Sequence, residues 1–120
     1  MGVLATVLVA AVGLLHVWIL ILEMVLWTKP MGLRAFGNSA EKARITAVLA
    51  ANQGLYNGFL AAGLFWGLID PDPAAALRIK SFFLICVIVA GVYGAWTASR
   101  KILFIQALPA ALALAAVWLS

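Results

Sequence analysis

At 120 residues the chain has room for one domain at most, and 67% of it is hydrophobic against 10% charged, far from the roughly 45–50% and 25% of soluble domains. That much apolar surface exceeds what a core of this size can bury, which excludes an ordinary soluble fold and makes lipid the expected solvent. The net charge of +4 sits in the connections rather than on a basic stripe, so it reads as membrane topology and excludes nucleic acid as a partner. The single Cys86 excludes an internal disulfide and a multi-cysteine metal site.

Four apolar segments are long enough to span a bilayer: Val3 to Trp27, Ile45 to Ile69, Ala75 to Thr97 and Ile102 to Leu119. Their runs are continuous rather than alternating, which predicts an all-α, four-transmembrane-helix bundle over residues 1–120 and not a barrel. The first segment has no Lys or Arg before it and is longer than a signal-peptide core, so it is expected to remain as a helix. Within it, His16, Glu23 and Trp27 fall within about 40° of one face. Glu23 is the ionisable group on that face and a candidate acid/base. The plainer roles are an interfacial carboxylate for Glu23 and a satisfied packing histidine for His16.

Thr28 to Arg44 is expected to be the one substantial loop, with Lys29-Pro30 and Gly32 breaking the first helix. Asn38 or Ser39 is a plausible cap for the second helix, with Glu41 in its first turn. That helix carries a polar island, Asn52-Gln-Gly-Leu-Tyr-Asn-Gly58, inside an apolar run. Asn52, Gln53, Tyr56 and Asn57 cover an arc of about 140°. Ala50, Gly54, Gly58 and Ala61 form a separate small-residue face that lets another helix approach closely. The amides are expected either to line a pocket or to act as interhelical glue.

Asp70-Pro-Asp-Pro73 forms the next connection, with Pro73 in the first turn of the third helix and an aspartate cap before it. The third span carries Cys86, which suits a small core residue, and Tyr93 near its end. A tight turn around Ser99-Arg-Lys101 leads to the fourth span, where Gln106 precedes Pro109, a residue that removes the amide for the Ile105 carbonyl. The connections after the first and third spans hold six basic residues, Lys29, Arg34, Lys42, Arg44, Arg100 and Lys101. The other side holds two, Arg78 and Lys80. The positive-inside bias therefore puts the six in the cytoplasm, with both termini outside. On that topology Glu23, Asn52, Gln53, Tyr93 and Gln106 share one level in the cytoplasmic half, with Tyr56 and Asn57 about one turn deeper. The predicted site is a polar intramembrane pocket for a small amphipathic or lipid-like molecule. Its lining would be His16, Trp27, Asn52, Gln53, Tyr56, Asn57, Tyr93 and Gln106 around Glu23. Metal ligation is not expected, because one histidine and one carboxylate make a weak site.

The run from His16 through Glu23-Met-Val-Leu-Trp27, then Arg34-Ala-Phe-Gly37, then Leu49-Ala-Ala-Asn-Gln-Gly-Leu-Tyr-Asn-Gly-Phe-Leu-Ala-Ala-Gly63 resembles the domain-of-unknown-function 1304 family of small bacterial integral membrane proteins. A second resemblance is to the MAPEG superfamily, the membrane-associated proteins of eicosanoid and glutathione metabolism. It is carried by Arg34-Ala-Phe-Gly-Asn38, Asn52 followed by Tyr56, Asp70-Pro-Asp-Pro73, Arg100 and Gln106-Ala-Leu-Pro109. It implies a homo-oligomer, a trimer of four-helix subunits, with sites between subunits near the cytosolic side. That superfamily places arginines and a glutamate near the second-helix asparagine, whereas the residues around Asn52 here are neutral. The resemblance thus carries the trimer further than it carries glutathione, for which Arg44 and Arg100 are the nearest anion contacts. Whether the chain is an enzyme stays open at this level. The alternatives are a small proton-coupled transporter and a structural partner of another membrane protein.

Overall fold

The structure, a computed structural model, describes residues 2–120. Every regular element among the described residues is helical: α1 (Val3–Met24), α2 (Pro30–Phe36), α3 (Ala40–Ile69), α4 (Pro73–Thr97), a π-helical segment (Leu103–Ala107) and α5 (Leu108–Leu119). Two of these, α1 and α4, are long and apolar enough to cross a membrane, and Leu103–Leu119 is a shorter apolar helical stretch. By composition α3 is less apolar than α1 and α4, because it carries both the charged turn at its start and the polar island.

The chain divides into two compact units, residues 15–59 and residues 1–14 with 60–120. In the first, α1 ends at Met24, three residues before the expected boundary, and the chain turns through Leu26 and Trp27. The connection expected as a loop contains a helix, α2. Pro30 starts it, since its fixed φ suits a first helical position and it has no amide to leave unpaired. Gly37 ends it in the left-handed conformation at φ 65°, with its N–H on the Leu33 carbonyl. Gly32 is not a breaker here. It sits inside α2, where a Cβ would overlap the Leu26 carbonyl, so the missing side chain lets α2 lie against the end of α1. Ser39 caps α3, its Oγ accepting from the Lys42 N–H at 3.1 Å.

In the second unit the core is Ala5, Val9 and Val12 of α1, Leu64 of α3, Leu84 and Val87 of α4, and Ala110, Ala113 and Val117 of α5. Small residues at the contact bring helices close: a Cβ on Gly91 of α4 would lie 2.7 Å from the Ala107 nitrogen. Asp72 caps α4 with its Oδ1 on the Ala74 N–H at 3.3 Å, and Pro73 occupies the first turn, as expected. The perturbation expected at Pro109 takes the form of a π-helical stretch just before it. The Leu108 N–H reaches back five residues to the Leu103 carbonyl, widening the turn ahead of a ring that would otherwise crowd the Ile105 carbonyl.

Candidate polar site on α1 and α3

The small-residue face of α3 does what its spacing predicts within the first unit. Gly54 lies against Met24, Glu23 and the Leu20 carbonyl of α1, and Gly58 lies against the Leu20 side chain. The absence of side chains at these two positions is what allows the helices to meet.

Glu23 is carried into this contact and is 5% exposed. Its Oε1 accepts from the Asn57 Nδ2 at 2.6 Å. A carboxyl withdrawn from solvent needs such a donor, because a buried group without one forfeits its solvation uncompensated. The amide can donate to either protonation state of the carboxyl, so the pair is able to hold the proton-carrying atoms in one place while the proton comes and goes.

Four residues after Glu23, in the turn that follows α1, Trp27 donates from Nε1 to the Thr46 Oγ1 at 3.1 Å. Thr46 in turn donates to the Lys42 carbonyl at 2.8 Å. Trp27 also packs on Phe36, the last residue of α2, with ring centroids 4.8 Å apart. Beside these rings is a recess of about 270 Å³ lined by Trp27, Phe36, Asn38, Lys42, Thr46 and Gln53, among others. It combines two aromatic side chains with two amides, a hydroxyl and an ammonium.

The remaining expected residues are placed as follows. His16 is fully buried in α1. Asn52 is exposed and its Nδ2 donates to the Val48 carbonyl of its own helix at 2.8 Å. Gln53 is exposed at the recess, and Tyr56 is 60% exposed with its ring on Phe59. Arg44 is exposed on α3. Tyr93, Arg100 and Gln106 belong to the other unit, where Tyr93 and Arg100 are exposed and Gln106 is half-buried in the π-helical segment. The structure thus joins Glu23 with Asn57, and Trp27 with Gln53, within one unit. Phe36, Lys42 and Thr46 line the recess without having been singled out from the sequence, because Phe36 is brought there by α2, a helix the sequence did not reveal.

The family described as Protein of unknown function (DUF1304) matches residues 7–118. Uncharacterized protein YpaA of Lactococcus lactis subsp. lactis (strain IL1403) is 32% identical over 116 residues, covering 95% of this chain and 96% of its own. No solved structure matches the chain.

Proposed function

The chain belongs to the DUF1304 family, and on that premise we propose that it is a small four-span integral membrane protein that binds a small amphipathic molecule at the polar site on α1 and α3. The observation that carries this is the buried Glu23 carboxyl held by the Asn57 amide at 2.6 Å in an otherwise apolar helix contact. Ionisable residues inside membrane spans are expensive, and their presence there favours a functional role. Glu23 is the ionisable group, Asn57 positions it, and the recess at Trp27, Lys42, Thr46 and Gln53 receives the ligand. The six basic residues Lys29, Arg34, Lys42, Arg44, Arg100 and Lys101 support an orientation with this end in the cytoplasmic half of an inner membrane.

Asn52, Gln53 and Tyr56 support a homo-oligomer, with a trimer favoured by the MAPEG resemblance. All three are exposed on α3 of the single chain. Polar side chains facing lipid at membrane depth are unfavourable, and a second copy of the chain covering this face satisfies them. The site is then completed by the neighbouring subunit.

The test is mass spectrometry of small molecules released from gently purified protein, wild type against Glu23→Gln. The expected result is an amphipathic compound retained by the wild type and lost from the variant, with both running as the same oligomer. Equal retention sinks the role of Glu23. Proton-coupled flux in proteoliposomes that depends on Glu23 would replace binding with transport.

A further inference from the structure

The recess beside Trp27 and Phe36 lies within the unit of residues 15–59, and its lining changes character along α3. Lys42, Thr46, Leu49, Ala50 and Gln53 are spaced to share one face of that helix, over about 16 Å of its length. The end nearest the start of α3 is polar. Lys42 is exposed there, three residues before the apolar run that begins at Ile45, and Asn38 joins it in the lining. The Thr46 hydroxyl is engaged on both sides, accepting from Trp27 Nε1 and donating to the Lys42 carbonyl. Further along, the lining turns apolar at Leu49 and Ala50. Leu49 is 69% exposed and Ile45 is 71% exposed, so the recess opens onto an apolar face of α3. Among the described residues Lys42 is the one charged group of the lining, and no carboxylate contributes to it. Residues 28–44 also carry Lys29, Arg34 and Arg44, all exposed, against Glu41 alone.

We infer that the recess seats the headgroup of an anionic phospholipid, its phosphodiester on the Lys42 ammonium and an acyl chain running along α3 past Leu49. This names the chemical class of the amphipathic molecule proposed above and rests on that reading of the recess. Charge selects the class. A lone ammonium with no carboxylate attracts a net anion, whereas the amine of a zwitterionic headgroup has no acidic partner in the lining. Depth agrees. Lys42 lies about 5 Å along the helix before the apolar run, which is the level of lipid phosphates when that run enters the hydrocarbon. Trp27 is a residue type suited to the same level. Size agrees as well. At about 270 Å³ the recess is below the roughly 300–1,000 Å³ of sites that enclose a whole small ligand, so it fits one end of a lipid whose remainder lies on the exposed face of α3. Lys29, Arg34 and Arg44 raise the local concentration of anionic lipid around this seat without lining it. The Asn38 amide is placed to hydrogen-bond an uncharged hydroxyl headgroup, which makes phosphatidylglycerol the lipid of choice.

The experiment is native mass spectrometry of detergent-purified protein with phosphatidylglycerol and phosphatidylcholine of matched acyl chains, added together and separately. The wild type is expected to prefer phosphatidylglycerol. Lys42→Gln is expected to lose about fivefold of that preference, the effect of one basic residue at a membrane surface, and Lys42→Arg to keep it. Arg44→Gln removes the same charge outside the recess and is expected to keep most of the preference. Thr46→Trp fills the recess with Lys42 in place and is expected to lose the bound lipid, which keeps the test decisive should Lys42→Gln fail to fold. Equal losses in Lys42→Gln and Arg44→Gln would mean attraction to the basic surface as a whole and would overturn the seat. Equal binding of the two lipids by the wild type, with both lost in Thr46→Trp, overturns the anionic class while leaving the recess as the ligand site. Undiminished phosphatidylglycerol on Thr46→Trp overturns both. A fatty acid held in preference to phosphatidylglycerol overturns the phosphodiester.

Discussion

Gly54 of α3 lies directly against Glu23 of α1: a Cβ added to the glycine would stand 3.0 Å from the Glu23 Cβ and 2.7 Å from the Met24 Cγ. The helix contact and the placement of the carboxyl are therefore one feature. Gly54→Leu is expected to push the helices apart and break the Asn57–Glu23 bond, costing about 1–3 kcal/mol or more by overpacking. Gly58→Ala, which meets only the movable Leu20 Cδ1, is expected to cost less. Unfolding of the two variants in mixed micelles checks the order, and equal losses would mean that the contact is not tight at Gly54.

A stricter version of the same effect is expected at Gly91. There the atoms that a Cβ would meet are the nitrogen, Cα and Cβ of Ala107, so backbone rather than a side-chain tip would have to move. Gly91→Ala should therefore destabilise more than Gly58→Ala although the added group is identical. The expected cost is about 1–3 kcal/mol. The same unfolding assay reads it, and a neutral Gly91→Ala would show that α4 and the π-helical segment separate freely.

These packing positions are also where the sequence spoke most clearly. Gly54 and Gly58 are spaced so that they must share a face, and helical geometry alone puts a neighbour there. The caps at Ser39 and Asp72 were legible for the same local reason. Sequence could not rank Asn52 against Asn57. Both are amides in the polar arc, and which one meets Glu23 depends on how α1 is rotated. The structure gives Asn57 to Glu23 and Asn52 to its own backbone. Helix α2 was hidden because it is seven residues long and holds a proline and a glycine, the residues that ordinarily signal a break. Lys80 read as a charge at the end of a span. Its burial depends on Gly67, a residue on another helix, and no local pattern reports that.

Trp27 and Thr46 allow the recess to be tested apart from the carboxyl. Thr46→Val keeps the shape but removes the acceptor for the Trp27 indole N–H, 3.1 Å away. The loss should be about 1 kcal/mol of stability. Thr46→Ser restores the hydroxyl and should restore the stability. If the recess holds the ligand, Thr46→Trp, which fills it, should abolish retention in the release assay with the oligomer intact. Undiminished retention would move the ligand elsewhere.

The Glu23–Asn57 bond makes the sharpest energetic prediction, because the two partners should behave unequally when removed singly and together. Asn57→Leu leaves a buried carboxyl without its donor and should destabilise by about 1–3 kcal/mol. Glu23→Leu strands the Asn57 amide and should cost a similar amount. Glu23→Gln keeps an Oε1 acceptor for Asn57 and should be the mildest of the single variants, which is why it is the variant chosen to probe function. In the double variant Glu23→Leu/Asn57→Leu neither group is stranded, and the loss should be smaller than the sum of the single losses by about 0.5–3 kcal/mol. A double-mutant cycle of unfolding free energies measures that difference directly. Strict additivity would mean that the 2.6 Å contact contributes nothing as a pair, and the assignment of Asn57 as the residue positioning Glu23 would fall with it.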